Sequence, residues 1–175
     1  MFSLEALKID LKALVEDCIE TTYVLEDDYF AVLDGADIQQ GRVEVAVSIR
    51  KTESYFTLTL KVEGVVTVQC DRCLDDMQQH VEGQSDFIVK LSNESSDDDE
   101  IICVDEVEGL LDTSWLIYET IALAVPIKHV HAPGKCNAAM TEKLNKLSAT
   151  RSGDETEGKA VDPRWSALAN LKIED

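Results

Sequence analysis

The sequence predicts an α+β protein: a mainly antiparallel β-sheet, or a partly open barrel, with one packed apolar helix and a short C-terminal amphipathic helix. Three observations predict it. Apolar and polar residues alternate through much of residues 42–91, the mark of half-buried strands. A largely apolar stretch, "DTSWLIYETIALAVP", then changes the period; it opens on helix-capping residues and stops at Pro126. Near the end, "DPRWSALANLKIED" places Trp165, Leu168 and Leu171 on one helical face.

The elements follow in order. "LKIDLKAL" (7–14) alternates loosely and reads as an opening edge strand. "RVEVAVSIR" (42–50) sets Val43, Val45, Val47 and Ile49 against Glu44, Ala46 and Ser48, after a turn at Gly41. "YFTLTLKVEG" (55–64) repeats the pattern beyond "KTES", which predicts an antiparallel hairpin. Gly64 then admits a third strand, "VVTVQC", ending at Cys70. "EGQSDFIVKL" (82–91) and "IICVDEVE" (101–108) supply a fourth and a fifth. Cys18 and Cys103 read as small buried hydrophobes, and His80, in polar surroundings, has no assigned task.

In the packed helix, Asp112, Thr113 or Ser114 caps the start. Trp115, Tyr118, Ala122 and Val125 fall close to one face, with Leu116 and Ile117 alongside. "CNAAMTEKLNKL" (136–147) suggests a second, more soluble helix. Residues 1–147 thus read as a β-rich domain. Residues 148–162, polar and without periodicity, read as a flexible linker. Residues 163–175 form the amphipathic helix and tail, with Pro163 at the first helical position. Such a helix on a tether either docks back or awaits a partner.

A chain of 175 residues can bury a sizeable core without disulfide staples. No apolar run approaches the roughly 20 residues that span a bilayer, and the N-terminus lacks the basic, then apolar, regions of a secretory signal. These features predict a cytoplasmic protein without membrane association, whose five cysteines stay reduced. The charge is lopsided: 35 acids oppose 16 lysines and arginines, for a formal net charge of −19. Nucleic-acid binders draw affinity from basic side chains that displace counterions from phosphate. This chain should instead attract basic partners, of which ribosomal proteins are the most abundant. Acidity that merely keeps the protein soluble is the plainer account. Not one Lys or Arg lies between Lys90 and Lys128, and "SNESSDDDE" (92–100) gathers Asp97, Asp98, Asp99 and Glu100. That run predicts a mobile loop, either solvated or a lure for a basic partner. It lacks the glycine and ligand spacing of a calcium loop.

"VQCDRCLDDM" (68–77) places Cys70 and Cys73 in a connection between strands. A thioredoxin-type pair belongs between a strand and a helix, and Asp71, Asp75 and Asp76 should raise a thiolate's pKa. Cys-x-x-Cys is also half of a tetrahedral zinc site. The other half is available in "KHVHAPGKC" (128–136), where Cys136 with His131, or with His129, completes a Cys₃His set. Such a clamp would join distant parts of the chain where a disulfide is not available. Spacing alone leaves zinc beside a simpler possibility, small thiols with solvated histidines. Arg72 could neutralise zinc-bound thiolates, touch phosphate, or pair with a nearby aspartate. No phosphate-cradling loop, nucleophile elbow or HExxH motif appears. A closed Cys₃His set would leave no open position for catalysis, so no enzyme is predicted.

Three blocks in order, "GVVTVQCDRCLDDM", "LIYETIALAVPIKHVHAPGKC" and "DPRWSALANLK", resemble the YceD-like proteins linked to accumulation of large-subunit ribosomal RNA. The resemblance spans roughly residues 40–172 and singles out Cys70, Arg72, Cys73, His131 and Cys136. Some relatives carry further cysteines in the second cluster, where this chain offers Cys136 with histidines. The resemblance implies a bacterial, non-enzymatic factor in large-subunit synthesis or assembly. A basic large-subunit ribosomal protein or a pre-ribosomal particle is the implied partner, since family genes often neighbour one for such a protein. Arg72, the acidic residues Asp97, Asp98, Asp99 and Glu100, and Trp165 are the candidate partner contacts. Direct RNA binding, through Arg72 and a patch of Lys128, Lys135, Lys143 and Lys146, is the alternative. A thiol redox role for the Cys70–Cys73 pair is a further one.

Overall fold

The computed structural model describes residues 2–14, 16–33, 38–93 and 101–147. The predicted linker, the C-terminal helix with Trp165, and the acidic run Asp97–Glu100 lie outside the described residues. The chain divides into two compact units, Met1–Thr141 and Glu142–Asp175. Everything that follows on sheet, core and site belongs to the first.

A short 3-10 turn (Leu4–Leu7) leads into β1 (Lys8–Asp10), β2 (Cys18–Leu25) and helix α1 (Asp27–Leu33). Three long strands follow: β3 (Gln40–Lys51), β4 (Phe56–Gln69) and β5 (Asp76–Leu91). The short strands β6 (Ile101–Val104) and β7 (Leu110–Asp112) precede α2 (Ser114–Ala124) and α3 (Ala138–Leu147). Five strands form one sheet in the order β2-β3-β4-β5-β6, antiparallel except for the parallel β5–β6 pair. β1 and β7 form a separate antiparallel ribbon. The α+β class is as the sequence predicts. Of its two forms the structure takes the open sheet, since β2 and β6 remain edges among the described residues.

Period-two alternation puts one side of the sheet into the core. Val43, Val45, Val47 and Ile49 of β3 are buried beside Phe56, Leu58, Leu60, Val62, Val66 and Val68 of β4. Val81 and Val89 of β5, with Tyr29 and Phe30 of α1, complete that layer. The sheet side chains between them, such as Glu44, Lys61, Glu63 and Glu82, are exposed.

Helix α2 packs on this layer through Ile117, Tyr118 and Ile121. Gly83 lets it come close: a Cβ there would lie 2.9 Å from the Ala124 Cβ. Two tyrosines fix its position. The Tyr29 hydroxyl donates to the Ser114 carbonyl at 2.8 Å, and the Ile38 N–H donates to the Tyr118 hydroxyl at 3.3 Å. Asp112 accepts from the Ser114 N–H at 2.9 Å and so satisfies the start of the helix. The N-terminal segment is tied to the same place, because the Thr113 hydroxyl donates to the Leu7 carbonyl at 2.7 Å.

Several local expectations are corrected. Gly64 does not separate two strands; β4 runs through it for 14 residues. Its missing side chain serves the close approach of β3, since a Cβ would fall 2.3 Å from the Arg42 carbonyl oxygen and 2.6 Å from the Val43 Cα. Gly41 likewise lies inside β3 rather than in a turn before it. β5 starts at Asp76 and runs for 16 residues, because its polar face is simply the solvent face. The segment predicted as one strand at 101–108 ends at Val104. There Asp105 accepts the N–H groups of Val107 and Glu108 and turns the chain. Those bonds hold the Asp105 carboxyl below its ordinary pKa.

In the first segment, only Lys8–Asp10 is strand. The buried face of α2 is centred on Ile117 and Ile121, while Trp115 is 49% exposed. Trp115 instead stacks on Tyr118 and donates to Glu119 on its own helix. Cys18 and Cys103 are half-buried, not fully so. No helix among the described residues is long and apolar enough to cross a membrane.

The β3–β4 approach gives the first prediction. Gly64→Val should destabilise the protein by at least the roughly 1–3 kcal/mol typical of overpacking, because backbone atoms, not a flexible side chain, occupy the space. Urea unfolding of both proteins checks this; an unchanged midpoint would show that the strands separate without cost.

Candidate metal centre

The turn between β4 and β5 is built around the Cys70 sulfur. The Cys70 N–H donates to the Asp75 carbonyl and the Leu74 N–H to the Cys70 carbonyl, each at 2.9 Å. The backbone N–H groups of His131, Arg72 and Cys73 are directed at the Cys70 sulfur. To close this turn the chain passes through the left-handed region at Leu74, φ 63°. Leu74 is the one non-glycine residue with positive φ among the described residues, and that conformation costs about 1–2 kcal/mol for an L side chain.

A reciprocal pair of bonds joins this turn to the segment after α2. The Asp71 N–H donates to the His129 carbonyl at 3.0 Å, and the His129 N–H donates to Asp71 Oδ2 at 2.8 Å. The Asn137 amide adds a third tie by donating to Asp75 Oδ2 at 3.1 Å. Asn137 also accepts the Ala139 and Met140 N–H groups, as an N-cap does.

These ties bring together four side chains that the sequence spacing proposes. Cys70 Sγ lies 3.9 Å from Cys136 Sγ, and Cys73 Sγ lies 3.4 Å from His131 Nδ1. All four potential ligand atoms lie within 4.8 Å of one another. Cys70 and Cys73 are buried, and His131 and Cys136 are half-buried. Tetrahedral zinc with Zn–S bonds near 2.3 Å needs S···S edges of about 3.8 Å and slightly shorter S···N edges. These two separations match those edges, and three thiols with one imidazole are a zinc-type donor set. The cluster could therefore hold a metal ion.

His129 is turned to other partners. Its Nδ1 lies 2.9 Å from the Pro126 carbonyl oxygen, and its Nε2 lies 3.5 Å from Asp71 Oδ1. Arg72 is exposed and contributes its backbone N–H to the Cys70 sulfur. Lys128 and Lys135 are exposed, and Lys146 pairs with Glu142.

The thiols differ in their hold on a proton. Burial opposes ionisation of Cys70, but the N–H groups of His131, Arg72 and Cys73 and the His131 side chain together lower its pKa to about 6. The neighbouring aspartates therefore do not set that thiol's behaviour as the sequence suggested. Burial and the adjacent Cys70 and Cys73 sulfurs raise Cys136 to about 11. Cys70 is thus the thiol that ionises more readily, and Cys136 the one that holds its proton more firmly.

Sequence reasoning missed Asp71, Leu74 and Asn137 as builders of this site. Asp and Asn in turns do signal backbone capping, so two of the three had a readable sign. Leu74 had none.

The fold and site define an α+β protein whose strand turn and post-helical segment meet at a cysteine–histidine cluster. The chain belongs to the YceD family, described as large ribosomal RNA subunit accumulation protein, whose family model matches residues 58–172. That span includes all four cluster residues and α2. Neither a curated protein nor a solved structure matches the chain.

The strain at Leu74 is testable. Leu74→Gly should leave stability unchanged or raise it by up to about 1 kcal/mol, the relief of strain offsetting the entropy of glycine. Leu74→Val should lower it by about 1–2 kcal/mol, since a branched side chain tolerates this φ worst. Denaturant titrations giving the reverse order would show that the turn is not held in this conformation.

Proposed function

We propose that this protein is a non-enzymatic, cytoplasmic accessory factor in large ribosomal subunit synthesis or assembly, shaped by one structural zinc and binding a basic component of the assembling particle. The convergence of Cys70, Cys73, His131 and Cys136 carries this reading. Four protein ligands would fill a tetrahedral shell, so the ion would hold chain segments together rather than activate a substrate. The family description supplies the ribosomal setting. The net charge of −19 favours a basic ribosomal protein over bare RNA as partner.

The clamp has a magnitude. A cross-link from Cys73 to His131 closes a 58-residue loop, and in the chain-entropy picture a loop of that size is worth about 4 kcal/mol. The stability held by the metal should be of that order.

A thiol redox role is the rival reading, and the lowered pKa of Cys70 to about 6 favours it. Against it, the Cys70 side chain is fully enclosed, whereas redox-active thiolates need access to an attacking disulfide.

Elemental analysis of untagged protein purified under reducing conditions should find one zinc per chain. The Cys70→Ser/Cys73→Ser variant should lose the metal and several kcal/mol of stability together. Loading should also depend on pH. Because Cys136 keeps its proton up to about 11 while Cys70 is ionised above about 6, binding between those values expels at least the Cys136 proton. Apparent affinity then rises with pH, about tenfold per unit for each proton released. Metal-free protein of unchanged stability in the variant would end the zinc reading and turn attention to disulfide reduction.

The partner is tested separately. Reversing Asp97, Asp98, Asp99 and Glu100 to lysine should weaken binding of a basic large-subunit ribosomal protein, and added salt should weaken it further in the parent. Binding that survives the reversal unchanged would remove the acidic run from the interface. Equal or tighter binding of a ribosomal RNA fragment at low salt would favour RNA as the direct ligand.

A further inference from the structure

Beside the cysteine–histidine cluster lies an open cleft of about 630 Å³, between the end of β4, its following turn and the chain leaving α2. Its wall includes Leu74, Val125, Pro126 and Ile127, with Asp71 and Asp76 at the turn. Leu74 is 61% exposed and Ile127 completely so. Single exposed hydrophobes are ordinary; these two line one concave surface, alongside polar residues such as Gln39, Gln40 and Gln69.

Leu74 sharpens the point. It occupies the left-handed turn position that glycine would take without strain, and as an exposed side chain it recovers little burial energy in return. A strained, solvent-facing leucine at the mouth of a cleft is the kind of outlier from which function is inferred. Ile127, fully exposed immediately after Pro126, is also without packing of its own.

The charge of the cleft selects the occupant. No lysine or arginine lines it, and its one histidine, His129, is turned to the Pro126 carbonyl and Asp71; Arg72 and Lys128 are sequence neighbours of lining residues but are not part of the wall. Asp71 is already engaged by the His129 N–H, which leaves exposed Asp76 and the field of a strongly acidic chain to act on a ligand. We propose that this cleft is a docking site for a basic protein segment, in which an aliphatic side chain seats between Leu74 and Ile127 while flanking lysines or arginines face Asp76. The choice of a basic protein as partner rests on the function proposed above; the location does not.

The test uses the full-length protein as purified under reducing conditions and fluorescence anisotropy with labelled peptides of equal length. One is lysine-rich with two leucines, one replaces those leucines with serine, and one replaces the lysines with glutamate. The lysine–leucine peptide should bind at least about tenfold more tightly than either of the others, as an interface with an apolar anchor requires. Leu74→Asn and Ile127→Ser should each weaken it by about tenfold. Asparagine accepts the left-handed conformation and Ile127 contributes no buried surface, so both variants should melt with the parent. Asp76→Lys is the corresponding charge variant and should also weaken binding.

Equal binding of the lysine–serine peptide, or affinity insensitive to Leu74→Asn and Ile127→Ser, would overturn the proposal. So would a single-stranded RNA oligomer whose binding depends on those same two residues. The two readings fail separately. If the peptide binds in the cleft but no large-subunit ribosomal protein does, the ribosomal partner falls and the cleft stands. If such a protein binds and neither variant affects it, the cleft falls alone.

Discussion

The bonds exchanged between Asp71 and His129 join the β4–β5 turn to the chain that leaves α2. Each of these segments is irregular, and neither has a ladder of its own to satisfy its backbone groups. Held together, they direct N–H groups from both sides at the Cys70 sulfur and bring Cys73 to His131. The cysteine–histidine cluster is thus a consequence of a backbone junction as much as of four reactive side chains. Its position depends in turn on α2, which must end where the turn can meet the residues beyond Pro126. The Tyr29 and Tyr118 hydrogen bonds and the close contact allowed by Gly83 place the helix there.

Two different kinds of stabilisation are therefore at work in one small molecule. The sheet–helix core is apolar, continuous and closed by interdigitating valines, isoleucines and leucines, and needs no metal to bury its surface. The junction is polar and small, and burying thiols there is favourable only if their protons or charges are satisfied. Backbone N–H groups lower the Cys70 pKa, whereas burial and the neighbouring sulfurs raise that of Cys136. A divalent cation would satisfy both thiols at once, by replacing protons with one central charge. The proposed zinc is the completion of the junction rather than an addition to it.

The sequence exposed the parts of this design that repeat. Strict alternation in β3 and β4 revealed both strands and their buried faces, because a one-residue slip would have turned every valine outward. The capping residues and Pro126 marked both ends of α2. The four cluster residues were legible because metal ligands must be of few chemical types. What remained hidden depends on neighbours distant in the chain. Gly64 looked like a strand break because its role, to admit the backbone of β3, exists only after pairing. Trp115 looked like core because the period of an all-apolar helix does not say which side faces a sheet. β2 and α1 escaped notice for want of a long apolar pattern, although β2 pairs with eight residues of β3.

Acidity acts on the same structure from outside. Glu44, Glu63 and Glu82 stand directly abreast on β3, β4 and β5, an arrangement that like-charge repulsion makes unfavourable. The sheet tolerates it because these side chains are exposed to water, whose high dielectric weakens the repulsion between close neighbours, while salt screens pairs farther apart than roughly 8 Å. The cost is modest at each pair but accumulates across a chain with 35 acids and 16 basic residues. A fold under that self-repulsion gains from any cross-link that acts chiefly on the unfolded chain, as the proposed clamp does. It also gains from a basic partner, which would relieve repulsion only in the folded state and so stabilise the protein by mass action. On the proposed function the acidic surface and the cysteine–histidine junction would be linked through stability: the clamp would let the acidic surface persist until a basic partner neutralised it.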